Sequence, residues 1–275
     1  ESRGKDGAAR AEELYRRALA LNPRCPMALG SYATFLHRIK HDLPAAEAAY
    51  AAATAAYPAH ASVLCKYGGF LKHAVGRVDE AEVMFRRAIA ANPTHAESLG
   101  SLAVLLHAAG RPNGGDNDNG SGSSDGNGDG SSDSTVARLY DRAVKSDPHN
   151  VNNLSNAGLF RAEVLKDLAG AEALYQRAMA LDPQHANSVY NYAVLLDSGL
   201  KDRQRAEAMY RRCLAANPRH GYALYNLAAA ANMVPSDKGP AEYAEAGNLF
   251  RRAVAACPKD ALTLADYGRF LVTVE

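Results

Sequence analysis

Four histidines recur at one place in the sequence, two residues after a proline, and imidazole is a common metal ligand in proteins. They are His60, His95, His185 and His220. They stand 35 residues or more apart along the chain, each at the start of a predicted helix. A polar side chain there accepts hydrogen bonds from first-turn backbone N–H groups. We therefore predict a structural role for these histidines and no metal site.

Other residue types that carry chemistry do not form a catalytic constellation. The Gly-rich stretch lacks the lysine of a phosphate-binding loop, and no Ser or Cys nucleophile has a base at a recognisable spacing. The cysteines, which form no CxxC pair, are Cys25, Cys65, Cys213 and Cys257. This favours spectator thiols of a reducing compartment over disulfides or a metal site. We therefore expect neither an enzyme nor a cofactor.

Asparagine recurs at a spacing of four residues in the C-terminal half of the chain. The pairs are Asn152 with Asn156 and Asn187 with Asn191, followed by Tyr222 with Asn226. At about 100° per residue these positions lie on a helix opposite to its apolar stripe. Asparagine is a weak helix former, so either a ligand or a consensus inherited from a common repeat explains its recurrence.

The elements that hold these side chains follow from a regular spacing of prolines. The prolines that close near-identical phrases are residues 23, 58, 93, 148, 183, 218 and 258. The intervals are 35, 35, 55, 35, 35 and 40 residues, so the two long ones are a 35-residue unit with 20 or 5 residues inserted. A fixed period in this range predicts a solenoid.

Each period contains two apolar stripes with helical spacing. Counting places from the preceding proline, the first helix has apolar or small residues at places 6, 9, 10 and 13. Place 10 is always Ala or Gly: Ala33, Gly68, Ala103, Gly158, Ala193, Ala228 and Gly268. The second helix carries an aromatic residue eight before its closing proline: Tyr15, Tyr50, Phe85, Tyr140, Tyr175, Tyr210 and Phe250. Glu–Arg pairs four residues apart, such as Glu82 with Arg86, indicate a solvated outer face.

This pattern resembles the tetratricopeptide repeat, although its period is one residue longer than usual and the family's tryptophan is absent. The resemblance implies an all-α, right-handed α-solenoid (superhelix) of helix–turn–helix repeats. The expected single array covers residues 10–275, with a second-helix half-unit at 10–25 and a first-helix half-unit at 261–275. The complete units are 26–60, 61–95, 96–150, 151–185, 186–220 and 221–260.

The longer insertion is almost free of apolar side chains. Residues 112–134 consist almost entirely of Gly, Ser, Asn and Asp, which predicts a disordered surface loop. Its start resembles a calcium loop, but Gly120 replaces a ligand and no bidentate Glu follows. Serines beside aspartates leave phosphorylation open. The net charge of +1 does not favour nucleic acid.

In the tetratricopeptide family the first helix lines a concave groove. The resemblance therefore implies an asparagine ladder along this groove, comprising Asn156, Asn191 and Asn226, with Asn152 and Asn187 beside it. Tyr190, Tyr222 and Tyr225 would add aromatic walls. We expect a protein-interaction scaffold that binds an extended peptide. The alternatives are an RNA-binding helical-repeat factor of RNA processing and a substrate-presenting arm of an enzyme such as an O-GlcNAc-type glycosyltransferase.

The remaining expectations concern the setting of the array. Neither end resembles a signal peptide, and no apolar run approaches membrane-spanning length. We therefore expect an intracellular, cytoplasmic protein with protein or peptide partners, without a nucleic-acid or membrane partner. A half-unit at each end indicates part of a larger chain or complex.

Overall fold

All regular elements that the structure describes are helical. A computed structural model describes residues 2–109, 133–232 and 240–274. The helices are α1 (Ser2–Leu21), α2 (Pro26–Phe35), α3 (Leu43–Ala56), α4 (Ala61–Phe70), α5 (Val78–Ala91), α6 (Ala96–Ala108), α7 (Asp133–Ser146), α8 (Val151–Phe160), α9 (Leu168–Leu181), α10 (Ala186–Val194), α11 (Arg203–Ala216), α12 (Gly221–Asn232), α13 (Pro240–Ala256) and α14 (Ala261–Val274). None of the helices in these ranges is both long and apolar enough to cross a membrane.

The helices form pairs, and the pairs stack. The chain divides into two compact units, Glu1–Pro148 and His149–Glu275. In the first unit α2 packs on α3, α4 on α5, and α6 on α7, while the first helices also contact one another. In the second unit α8, α10 and α12 pack on α9, α11 and α13. The all-α solenoid of helix–turn–helix repeats is thus confirmed. The predicted disordered loop lies, as far as residue 132, outside the described residues.

In two repeats the aromatic ring of the second helix fits against the glycine at place 10 of the first helix. Tyr50 of α3 is 2% exposed, and the alanines on either side of it in the stripe, Ala46 and Ala53, are fully buried. A Cβ added to Gly68 would stand 2.8 Å from the Phe85 ring, and at Gly158 the distance to the Tyr175 ring would be 3.0 Å. Two helices can therefore approach closely because one of them presents almost no side chain.

A π-helical turn explains the extra residue in the period. It comprises Leu36–Lys40 after α2, Leu71–Val75 after α4, Arg161–Leu165 after α8 and Leu195–Gly199 after α10. A π turn holds one residue more than an α turn, which accounts for a period of 35 rather than about 34. All four 35-residue units contain it. As far as they are described, α6 and α12, which precede the insertions, do not.

The π turn ends at a residue with left-handed backbone geometry. In three units this residue is His41, Gly76 or Lys166, with φ between 56° and 79°. In the fourth unit Leu200, with φ −90°, comes first and the left-handed residue is Lys201. The N–H of the following residue then reaches back to the start of the turn, as from Asp42 to the carbonyl of Leu36 at 3.0 Å. In three units this following residue is an aspartate whose side chain caps the second helix: Asp42, Asp167 and Asp202. The turn and the cap together fix where the second helix begins.

The second helices present charge on the opposite side. The predicted pairs Glu12 with Arg16 and Glu82 with Arg86 form at 2.7 and 3.0 Å, and Glu207 also pairs with Arg211. The arginine six residues before the closing proline donates in three units to the carbonyl of the preceding repeat's proline: Arg142 to Pro93, Arg212 to Pro183 and Arg252 to Pro218. This face therefore combines ion pairs with a contact that joins successive repeats.

Adjacent glycines in α4 offer a matched test of the ring contact. Gly68→Ala should lower the thermal midpoint, because overpacking against Phe85 costs about 1–3 kcal/mol and outweighs the gain in helix propensity. Gly69→Ala should raise it, since a Cβ there meets nothing within 4 Å. Circular dichroism melts of both variants would measure the difference. Equal midpoints would contradict the ring contact as the constraint on helix approach.

The thiols should divide into two classes. Cys65 and Cys213 are buried, and burial raises the pKa of each thiol to about 11, so little thiolate exists at pH 8. Cys25 and Cys257 are half-buried. With Ellman's reagent at pH 8, we expect these two to react first and the other two only after urea is added. Labelling of Cys65 as fast as Cys25, located by peptide mapping, would refute the assignment.

Candidate functional site

The predicted site residues lie on the first helices of the second compact unit. Their places 4, 7 and 8 make up what we call the amide face. Place 4 holds Asn152, Asn187 and Tyr222, which are exposed. Place 8 holds Asn156, Asn191 and Asn226, and place 7 holds Tyr190 and Tyr225, all half-buried. The face therefore has an outer row that meets solvent and an inner row that contacts neighbouring helices.

The inner row joins successive repeats by hydrogen bonds. Asn191 donates from Nδ2 to Oγ of Ser155 at 3.3 Å, and Asn226 donates from Nδ2 to the hydroxyl of Tyr190 at 3.4 Å. In both cases place 8 of one repeat contacts place 7 of the preceding repeat. One structural role of these asparagines is therefore to hold adjacent first helices in register.

The partners of Asn226 fix which end of its carboxamide stays free. Its Nδ2 also donates to the hydroxyl of Tyr210, at 3.1 Å. The carboxylate of Asp197 lies near the Tyr210 hydroxyl. Burial, with the negative charge of Asp197, raises the pKa of Tyr210. The amide nitrogen of Asn226 is thus committed, and its Oδ1 remains available as an acceptor.

In the outer row, His185 orients the carboxamide of Asn152 in the same way. Nδ1 of His185 accepts the backbone N–H of Ser188 at 3.3 Å, which leaves the ring proton on Nε2. Nε2 then donates to Oδ1 of Asn152 at 3.1 Å. The free end of Asn152 is therefore its amide nitrogen, a donor.

The four histidines of the repeat take a capping role in three cases, as predicted. His95 caps α6 through Ser98 as His185 caps α10, and Nδ1 of His220 accepts the N–H of Ala223 at 3.2 Å. His60 is the exception, because its buried Nδ1 has no hydrogen-bond partner. No group of three or more His, Cys, Asp or Glu in the described ranges is placed to share a metal ion.

Aromatic rings gather at one end of the amide face. The ring centroid of Tyr190 lies 4.7 Å from that of His220, 6.3 Å from Tyr222 and 6.1 Å from Tyr210. Tyr222 is 57% exposed, whereas Tyr190 is half-buried and its pKa is raised chiefly by burial. In this cluster the Tyr222 ring is exposed to solvent, and the half-buried rings of Tyr190 and His220 lie next to it.

Tyr225 uses its hydroxyl within the fold. It donates to Oδ2 of Asp266 on α14 at 2.6 Å, another contact between place 7 and the next repeat's place 8. Burial, followed by this carboxylate, raises the pKa of Tyr225 to about 12, and the same bond lowers the pKa of Asp266. Only the half-buried ring of Tyr225 is left to contact a ligand.

Two asparagines keep both ends of the carboxamide free. In the part of the chain that the structure describes, no side-chain hydrogen bond is formed by Asn156 or Asn187. Sequence reasoning missed Ser155 and Tyr210, which accept hydrogen bonds from Asn191 and Asn226, and Asp266, which accepts from Tyr225. For Asp266 a signal existed, because it occupies place 8 of its repeat like the asparagines.

Comparison with known proteins points to one repeat family. Family models described as tetratricopeptide repeat match residues 74–113 and 186–220. A search of curated proteins finds no match. Among solved structures, a chain of the APC/C hetero-tetramer Cut9–Hcn1 matches with a TM-score of 0.74 at 11% identity, over 98% of this chain and 47% of that one.

Two further structures match nearly their whole length. PilF from Pseudomonas aeruginosa has a TM-score of 0.66 and 14% identity, covering 90% of this chain and 97% of its own. YrrB, described as a TPR protein with an unusual peptide-binding site, has a TM-score of 0.50 and 19% identity, covering 78% of this chain and 98% of its own. At these identities the likeness shows the fold.

Two asparagines at the same place should differ in their effect on stability. Asn226→Ala removes two hydrogen bonds to tyrosine hydroxyls and should lower the free energy of unfolding by about 1–3 kcal/mol. Asn156→Ala should leave stability unchanged or raise it by roughly 0.5 kcal/mol through helix propensity. Urea unfolding followed by circular dichroism measures both. A comparable loss in Asn156→Ala would show that Asn156 is also committed to the fold.

Proposed function

The chain belongs to the tetratricopeptide repeat family, and we propose that it is a protein-interaction scaffold that binds an extended peptide along the amide face. The all-helical solenoid supports the general role, because stacked helix pairs build long continuous surfaces suited to chains. The finer proposal, which residues grip the peptide, depends on the chemistry of the amide face.

The observation that carries the proposal is the set of free carboxamide ends. Asn156 and Asn187 offer both ends, Asn152 offers a donor, and Asn226 offers an acceptor. A peptide backbone presents one N–H and one C=O per residue whatever its side chains, so such groups bind it without reading its sequence. Because His185 orients Asn152, and Tyr190 and Tyr210 orient Asn226, less side-chain entropy is lost at these two amides on binding.

The spacing of the helices fits an extended ligand. Packed helices lie about 8–10 Å apart. An extended chain advances about 3.3 Å per residue. Equivalent asparagines on successive first helices would therefore meet about every third residue of the peptide. The residues between them would point their side chains elsewhere, which leaves room for varied sequences.

The aromatic cluster would supply the side-chain preference. Tyr222 is exposed beside Tyr190 and His220, and an apolar or aromatic side chain of the peptide could pack on its ring. Exposed aromatic residues are enriched among the positions that dominate binding energies. The ligand we propose is thus an extended segment with an apolar anchor at the Tyr222 end.

The related structures support the class of partner. YrrB is described as having a peptide-binding site, and Cut9–Hcn1 is a hetero-tetrameric assembly. A peptide or protein ligand for this chain is the corresponding proposal.

Selection from a random peptide library displayed on phage tests the proposal. The selected peptides would be synthesised with a fluorophore and titrated with the chain, and their Kd measured by anisotropy. Tyr222→Ala should weaken binding about tenfold or more through loss of the anchor. Asn156→Ala should weaken it about three- to tenfold, as expected for one hydrogen bond.

The matched control removes a carboxamide from the other side of the same unit. Gln176 on α9 is exposed, and its side chain interacts with Glu172 and Tyr192 rather than with residues of the amide face, so Gln176→Ala should leave the Kd within twofold. If Asn156→Ala and Tyr222→Ala also leave the Kd unchanged while peptides still bind, the amide face is not the site. Failure to select any binding peptide would overturn the proposal as well.

A further inference from the structure

The first helices of the first compact unit carry a different chemistry at equivalent places. With their π turns they include six basic residues at places 8, 14 and 15: Lys66, His37, Lys72, His107, Arg38 and His73. The only carboxylate on these helices and turns is Glu97. In the second unit, by contrast, no Lys, Arg or His stands at places 8, 14 and 15 of the first helices, and the charged residues there are Glu163, Asp197 and Asp266. We call the set in the first unit the basic face.

Contacts within the first unit bring the two π turns together. The ring of His37, in the turn after α2, packs edge-on against Phe70 at 5.2 Å. Phe70 immediately precedes the turn that carries Lys72 and His73. Arg38 lies near the Tyr50 hydroxyl, which is 2.9 Å from Oγ1 of Thr34 at place 11. His37 therefore joins the turn after α2 to the end of α4, and each of the two turns carries one Lys or Arg beside a histidine.

Most of these cations have no counter-ion. In the described ranges, neither Arg38, Lys66, Lys72 nor His73 takes part in an ion pair, whereas Lys40 pairs with Glu12 at 2.7 Å. Burial lowers the pKa of Lys72, and burial with the charge of Lys72 lowers the pKa of His73. The pKa of His37 is lowered by burial and by Arg38. An anion placed here would favour the charged forms of His37, Lys72 and His73, which burial disfavours.

The basic face is accessible to a polypeptide ligand. Arg38, Lys66 and His73 are exposed. Between Lys66 and Lys72 the helix presents Gly69, where an added Cβ would meet nothing within 4 Å. A ligand could therefore approach the backbone of α4 with positive charge before and after the point of contact.

We propose that the basic face binds an acidic peptide segment, rich in Asp or Glu, lying across α2 and α4. This surface and its partner are separate from the peptide proposed for the amide face. Arg38, Lys66 and Lys72 could each pair with a carboxylate of such a segment. RNA is less well matched, because binding of single strands uses exposed aromatic rings for stacking, and Tyr32 and Tyr67 on these helices are half-buried in stacks with Phe35 and Phe70.

The test uses a fluorescein-labelled ten-residue polyglutamate and measures its Kd by anisotropy at low and physiological salt. The double variant Arg38→Glu with Lys72→Glu should weaken binding at least tenfold. Its matched control reverses two exposed cations on second helices of the same unit, Arg87→Glu with Lys145→Glu. The control changes net charge equally and should stay within threefold. Equal losses in both variants would overturn the proposal, since only overall charge would then matter.

Two further arms sharpen the outcome. Gly69→Leu adds bulk without charge and should weaken polyglutamate binding about fivefold or more if the segment crosses α4 there; unchanged binding would overturn that placement. A ten-nucleotide oligouridine serves as the competing probe, and tighter binding of oligouridine than of polyglutamate would overturn the choice of a peptide. Tyr222→Ala should not affect polyglutamate, which separates this result from that for the amide face.

Discussion

The contact between an aromatic ring and a residue with little or no side chain governs the rest of this structure. It sets how closely the two helices of a repeat approach, as at Gly68 beneath Phe85 and Gly158 beneath Tyr175. Because every repeat has Ala or Gly at place 10, we infer that the first helices lie side by side at a similar spacing. The hydrogen bonds between Asn226 and the neighbouring tyrosines depend on that spacing, since they tolerate only a few tenths of an ångström.

Features of the fold and of the site could be predicted where they depend on residues close together in the sequence, and could not where they depend on contacts between distant residues. The packed stripes follow from i, i+3, i+4 spacing, so the fold and the exposed Asn152, Asn187 and Tyr222 could be predicted from the sequence. The bond from Asn191 to Ser155 could not, because it joins residues 36 apart on helices whose relative shift no local pattern fixes. For the same reason the sequence placed Asn226 on a free surface, whereas half of its carboxamide is committed to Tyr190 and Tyr210.

The two compact units share the same repeat backbone but differ in the side chains that their first helices present to a ligand. Place 8 is Lys66 in one repeat of the first unit and asparagine in three repeats of the second. Neither residue type replaces the small residue at place 10, on which the ring contact depends. The packed side of the repeat can thus stay constant while the other side is changed one residue at a time, as expected for an array whose stability arises between nearest neighbours.

The π turn lies at the position in the repeat where extra residues can be inserted. An extra residue in mid-helix would rotate every later side chain by about 100° and break the packed stripe. After place 13 the stripe is complete, so the rotation harms nothing. The insertions of 20 and 5 residues follow α6 and α12 at this same junction. This junction therefore tolerates insertions. It is the position at which a tag, a linker or a foreign domain could be inserted into a repeat without disturbing the packing of the helices.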